Sequence, residues 1–367
     1  MRKLKTESTT DRMVFIKSHL SNSIELAFTK VAMHIKEPTK YPLPTDHKSF
    51  EQILKKIYTQ FDSSGKNKMI ERYAKIPDAN NLQTKRKYGN LLNIDLSSKK
   101  SIFEQANTLI TTDDIQLDAS ELNSFEKLLQ PHLPKGRTKH AATKTLKGTP
   151  RGNAPGTLRL SLEKIKCVDT QDVRKDEISI KGFTISSILE NEEIEETSLG
   201  KFKVAEEKVL NTLIRDFDLR EANTFPQTFI AGIFVIERDT KKDDATLERT
   251  IDIASQVALA ALVAGQLGGL GALAALITKI PPLLVASLVF VIVTLAIAIL
   301  IEIFGVIVPQ LRLSEVSQEL QDIFVMDINT LGVGESESNT FNAQLTGTNF
   351  LKLKGNYDVT VKWERVD

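Results

Sequence analysis

The sequence predicts an α+β multidomain chain: a helical N-terminal domain, a basic linker, and an antiparallel β-sandwich carrying an inserted hydrophobic helical hairpin. Three observations predict it. Apolar residues recur at helical spacing before residue 130 and at period two after residue 157. Pro, Gly and basic residues crowd 131–156 without one acidic residue. Two charge-free stretches, 253–278 and 283–301, interrupt the strand-patterned region.

Composition sets the outer bounds. The 367 residues include 48 Lys+Arg and 47 Asp+Glu, with 41% hydrophobic and 26% charged residues, as in a folded chain. That balance excludes nucleic-acid binding driven by overall charge alone, and no specific nucleic-acid partner is expected. The charge is nevertheless polarised. Residues 1–150 carry 26 Lys+Arg against 16 Asp+Glu, a net of +10; residues 151–367 carry 22 against 31, a net of −9. The lone Cys167 excludes an intramolecular disulfide and a multi-cysteine metal site. His19, His34, His47, His132 and His140 are scattered and form no HExxH pair. The basic start Met1-Arg2-Lys3 is followed by no apolar core and no small-residue cleavage site. The expectation is therefore a chain made in the cytoplasm without a cleaved signal, acting at a membrane, directly or after export or injection.

In the N-terminal domain, 1–130, Met13, Ile16, Leu20, Ile24, Ala27 and Val31 predict a helix over 12–36. Phe50, Ile53, Leu54, Ile57 and Phe61 form a stripe over 48–61. Shorter helices are expected at 101–110 and 119–130, the latter capped by Asp118 or Ser120. The segment 64–100 is polar and basic, with Lys85-Arg86-Lys87. The linker 131–156 reads as a solvated tether. Contact with anionic lipid is the second reading of its charge.

From 157 onward the pattern is that of strands. Leu158, Leu160 and Leu162 alternate with Arg159, Ser161 and Glu163, and Ile178 and Ile180 make the return. Phe229–Ile236 is almost wholly apolar, the pattern of a central strand buried on both faces. Ile323–Ile328 and Phe341, Ala343 and Leu345 follow. Tyr357, Val359, Val361 and Trp363 then alternate with Asp358, Thr360, Lys362 and Glu364. Six to eight such strands are expected to pack as a sandwich over 157–367. Glu190–Glu196, with five glutamates, reads as a solvated loop.

The inserted hairpin, 247–312, is the most informative feature. Its first charge-free arm runs 26 positions and its second 19, and Lys279, Pro281 and Pro282 break the helix between them. At 1.5 Å rise per residue, each arm is long enough for a hydrocarbon core of about 30 Å. Ala260, Ala264 and Gly268 fall at intervals of four, as do Ala261, Gly265 and Gly269, and Gly271 repeats the spacing with Ala275. Small residues at that interval let helix backbones approach closely. The second arm is bulky, with Leu288, Phe290 and Ile297 among its residues, and suits acyl chains. Lys279 is the tip's only charge; Arg249, Asp252 and Arg312 belong to a hydrated base, with Glu302 near the interface. The competing reading is a hairpin buried for good in a water-soluble core.

Two acidic loops, 169–177 and 237–244, raise a calcium reading. Asp169, Asp172, Asp176, Glu237, Asp239 and Asp243 would supply oxygen ligands if both loops met at one end of the sandwich. Arg174, Lys175, Arg238, Lys241 and Lys242 oppose it, and solvated acidic turns are the alternative. Cys167 reads as a small core residue. No phosphate loop and no G-x-S-x-G elbow occurs, and the Gly-rich 265–271 run lies inside an apolar helix.

The run Lys164-Ile165-Lys166-Cys167-Val168-Asp169-Thr170-Gln171-Asp172, followed by Asp176-Glu177-Ile178, resembles a group of largely uncharacterised bacterial proteins. Such proteins share a sandwich similar to calcium-dependent lipid-binding domains. They carry a Gly/Ala-rich hydrophobic hairpin between strands and a final strand of the type formed here by Tyr357, Val359 and Trp363. The resemblance covers 157–367; where the group has Gly or Trp after the loop aspartate, this chain has Val173-Arg174. It implies toxins or cargoes, some of them linked to contractile injection systems. By composition the hairpin is also similar in kind to that of pore-forming colicins.

These readings converge on a non-enzymatic effector whose 253–308 segment enters and perturbs a target bilayer, with self-association in the membrane. Residues 1–150 would then meet a delivery apparatus or chaperone. The alternative is a membrane-anchored scaffold displaying the N-terminal domain. An enzyme within 1–150 is a third class, but no nucleophile or base is nominated there.

Overall fold

A computed structural model describes residues 9–109, 156–170, 176–220, 227–237, 244–266, nine positions between 292 and 303, 322–326, 333–346 and 354–366. The fold is mixed α+β, with helices and two antiparallel sheets. The chain divides into two compact units. One comprises 1–133 with 256–313, the other 134–255 with 314–367.

The helical unit is built on α1 (Thr9–Lys36), which packs against α2 (Phe50–Gln60), α3 (Ser63–Tyr73), α4 (Leu82–Tyr88) and α5 (Ile102–Thr108). Leu20, Ile24, Ala27, Phe28 and Val31 are buried, as the helical periodicity expects. So are Phe50, Ile53, Leu54 and Ile57 on α2. Phe28 meets Tyr73 at 5.0 Å between ring centroids, and Phe50 meets Phe103 edge-on at 5.1 Å. The predicted helix at 119–130 and nearly all of the linker lie outside the described residues.

The polar stretch 64–100 yields more helix than its hydrophobicity signals, because its starts are capped. Asp62 Oδ1 accepts from Gly65 N at 2.7 Å, and Asn81 Oδ1 from Gln83 N at 2.8 Å. Ser101 Oγ accepts from Glu104 N at 3.0 Å. Each side chain satisfies a backbone donor that the first helical turn leaves open. Ser101 and Glu104 have capping-box spacing, a signal present in the sequence.

In the second unit, β1 (Thr157–Asp169) pairs with β4 (Glu207–Asp218) and with β8 (Lys354–Val366), which pairs with β7 (Ser336–Thr346). The other sheet runs β3 (Asn191–Phe202), β2 (Asp176–Ile185), β5 (Gln227–Glu237), β6 (Asp322–Met326). One apolar cluster draws on both sheets. It joins Leu158, Leu160 and Leu162, and Val359, Val361 and Trp363, to Ile178, Phe229, Ile233 and Val235. All eleven residues of β5 are buried, matching the central strand predicted at Phe229–Ile236. Within it, a Cβ at Gly232 would lie 2.5 Å from the Phe183 ring, so only glycine leaves room for that ring to lie across the strand.

The loop expected at Glu190–Glu196 is instead mostly strand. Residues 191–202 form β3, the edge of its sheet, and pair with β2 from Ile185↔Asn191 to Asp176↔Phe202. Glu192, Glu193 and Glu195 are exposed while Ile194 is buried. Charge on an edge strand discourages edge-to-edge pairing and masks the alternation by which a strand is recognised.

The apolar segment is an insertion in the chain, as expected: β5 precedes it, β6 follows it, and the two pair directly, Gln227↔Met326 through Ala231↔Asp322. Residues 256–313 belong to the same compact unit as the N-terminal helices.

Candidate functional site

The candidate site is the pair of apolar arms inside the helical unit. The first arm begins earlier than its charge-free run. α6 spans Asp244–Val263 and continues as a wider π-type turn through Gln266. Its start is tied to the sheets. Lys181 on β2 is nearly buried and bridges Glu193 at 2.9 Å and Glu248 on α6. Burial alone would lower the Lys181 pKa, but the two carboxylates outweigh it and hold it above the ordinary lysine value. Asn191 Nδ2 donates to Ser255 Oγ at 2.9 Å. Glu248, Arg249 and Asp252 are exposed.

Beyond Ser255 the helix is enclosed. Residues 257–264, Val257 to Ala264, are all buried, so every face of more than two turns is covered. Ala260 and Ala264 have no exposed surface. On the second arm, Ile292, Val293, Leu295, Ala296, Ile297 and Leu300 are buried as well. The arms meet at Gly265. A Cβ there would fall 2.5 Å from Val293 Cγ2 and 3.1 Å from Val293 Cα. The close approach predicted from small residues at intervals of four is therefore present at this glycine. Gly268, Gly269, Gly271, Lys279, Pro281, Pro282, Leu288 and Phe290 lie outside the described residues.

The described apolar residues of the second arm are covered by protein in this fold. Glu302 is exposed. It also lies near α3. The Tyr73 phenol is pushed up chiefly by burial, with the Glu302 charge adding to the shift. Among the described residues, no helix is long and apolar enough to cross a membrane.

The acidic loops do emerge at one end of the sheets, since the start of β2 pairs with the end of β5 through Ile178↔Glu237. Among the described residues, Asp169, Asp176 and Glu237 do not gather as a calcium site would require. Asp176 is fully buried and accepts a 2.6 Å hydrogen bond from Tyr357 Oη, and Glu237 is buried. Asp169 ends β1 and turns Oδ1 to its neighbour Thr170 N at 3.0 Å. Asp172, Asp239 and Asp243 lie outside the described residues. Among the described residues, no three His, Cys, Asp or Glu side chains gather as a metal site would require. Cys167 is buried, as the small-core reading expects. Its Sγ donates to Asp169 O at 3.4 Å, and burial pushes the thiol pKa up, away from a reactive thiolate.

Two buried ionic side chains in the helical unit were not singled out from the sequence. Lys30 on α1 donates Nζ to Ser98 O at 2.7 Å and to Lys100 O at 2.6 Å. Glu51 on α2 accepts from Ile102 N at 2.6 Å through Oε1, while its buried Oε2 has no partner. Burial lowers the Lys30 pKa and raises that of Glu51. Lys30 interrupts the apolar run Leu26–Met33 and Glu51 stands next to Phe50, but the groups that pair with them lie 51 to 70 positions away and are not marked in the sequence. Compared with known protein families, curated proteins and solved structures, the chain matches none.

Proposed function

We propose that the chain is a conditional membrane-inserting effector: its helical unit stores an apolar helix pair that a target bilayer accepts. The two sheets form a β-sandwich from which the stored segment issues as the long β5–β6 connection. The observation that carries this reading is the enclosure of Val257–Ala264 and of Val293, joined at Gly265, in one compact unit with the N-terminal helices. The N-terminal helices are the storing element. This assigns residues 9–109 the work of keeping apolar surface out of water until release. Delivery by a contractile injection system is the route that the family resemblance implies, and self-association in the bilayer is expected of the small-residue face.

The complete enclosure also favours a second reading, in which the arms are permanent core. Dye release from liposomes, run with a photoactivatable lipid that labels membrane-embedded residues, separates the two. Release with labelling confined to 256–303 supports insertion. No release and no labelling makes the arms core and overturns the effector reading.

A further inference from the structure

The connection between α3 and α4 leaves apolar side chains in water beside exposed basic ones, with Asp78 the acidic residue of the intervening turn. Ile76 is 53% exposed and Leu82 is 62% exposed. They flank a tight turn in which Asn81 N donates to Asp78 O at 3.1 Å and Asp78 Oδ1 accepts from Asn80 N at 2.8 Å. Leu82, Lys85 and Arg86 stand at i, i+3 and i+4, one face of α4, and no residue of α4 is buried. The opposite side of the helix is the one fastened to α1. Lys87 pairs with Glu25 at 2.5 Å, and Tyr88 Oη donates to Glu25 Oε2 at 2.9 Å. Lys75 is exposed beside Ile76. Among the described residues, no carboxylate pairs with Lys75, Lys85 or Arg86.

We infer that Ile76, Leu82, Lys75, Lys85 and Arg86 form a docking patch for an anionic lipid surface. The chemistry is that of peripheral membrane contact. Basic side chains are drawn to acidic headgroups, and exposed apolar side chains enter the interface beneath them. A soluble polyanion would use the cations and leave Ile76 and Leu82 in water, so the paired apolar residues favour lipid. The patch supplies an encounter surface for the proposed effector. It does not require that the arms insert.

The test is co-sedimentation of the full chain with vesicles of phosphatidylcholine alone or mixed with phosphatidylserine, with dye release measured in parallel. One double variant is I76S/L82S and the other K85E/R86E. All four side chains are exposed, so unchanged thermal melting is expected of both. The wild-type chain should bind only the phosphatidylserine vesicles, and each double variant should bind at least about tenfold more weakly. Failure to bind either vesicle, or undiminished binding by both variants, overturns the inference. Loss in K85E/R86E alone shows that Ile76 and Leu82 take no part and overturns the patch as composed of both charge and apolar surface. Patch-dependent binding without dye release and without labelling of 256–303 leaves this inference standing and overturns the insertion reading.

Discussion

Tyr357 on β8 donates a 2.6 Å hydrogen bond to Asp176, the first residue of β2, so a buried polar contact joins the two sheets beside their shared apolar cluster. Burial and the neighbouring carboxyl both push the Tyr357 pKa upward, keeping the phenol a donor. Removing that donor strands an acceptor away from water. Tyr357→Phe is expected to lower unfolding free energy by roughly 1–3 kcal/mol in urea titrations. The double variant Tyr357→Phe/Asp176→Leu should cost less than the sum of the single changes, since the buried acceptor goes with its donor.

Gly265 has no room for a side chain against Val293. Gly265→Leu should separate the arms and destabilise the helical unit by about 1–3 kcal/mol or more, read by thermal melting. Val293→Ala, which removes the methyl nearest the new Cβ, is expected to restore part of the loss. Restoration would be partial because Val293 Cα also lies within 3.1 Å. Full tolerance of leucine would show that the arms do not approach as described.

Acid should weaken the helical unit through His19. The ring stacks on Phe15 at 5.9 Å, its Nε2 is buried without a partner, and burial lowers its pKa from 6.5 to about 4. The unfolded chain thus takes up the proton first as pH falls. Stability is complete above about pH 6.5 and is lost progressively down to about pH 4, by up to roughly 3 kcal/mol. Melting temperature measured across that window checks the sign. His19→Leu should flatten the curve only partly, because burial holds His34 below its ordinary value too.

Lys30 and Glu51 pin the 98–102 segment from two helices. Lys30→Met leaves the Ser98 and Lys100 carbonyls without that donor, for an expected cost of about 2 kcal/mol. Glu51→Gln keeps an acceptor for Ile102 N and should cost less than Glu51→Leu, which removes it. Hydrogen exchange at the Ile102 amide distinguishes the two, and equal protection in both variants would refute the cap.

Local pattern in the sequence determined those elements whose buried face repeats at one period. The eleven buried residues of β5, the alternation of β8 and the stripe of α2 are legible because each burial pattern lies within its own strand or helix. The apolar arms and the spacing of Gly265 are legible for the same reason. Tertiary structure alone decided what does the burying. That the arms share a unit with the N-terminal helices, that Tyr357 finds Asp176, and that Lys30 reaches the 98–100 carbonyls are contacts between residues 68 to 181 or more positions apart. Periodicity records which face must leave water. It carries no label for the partner, because burial stabilises an apolar face by area and not by the identity of what covers it. The glutamate-rich edge strand β3 was hidden for a related reason. An edge strand exposes charge on most of its positions, and its backbone pairing with β2 leaves no trace in side-chain pattern.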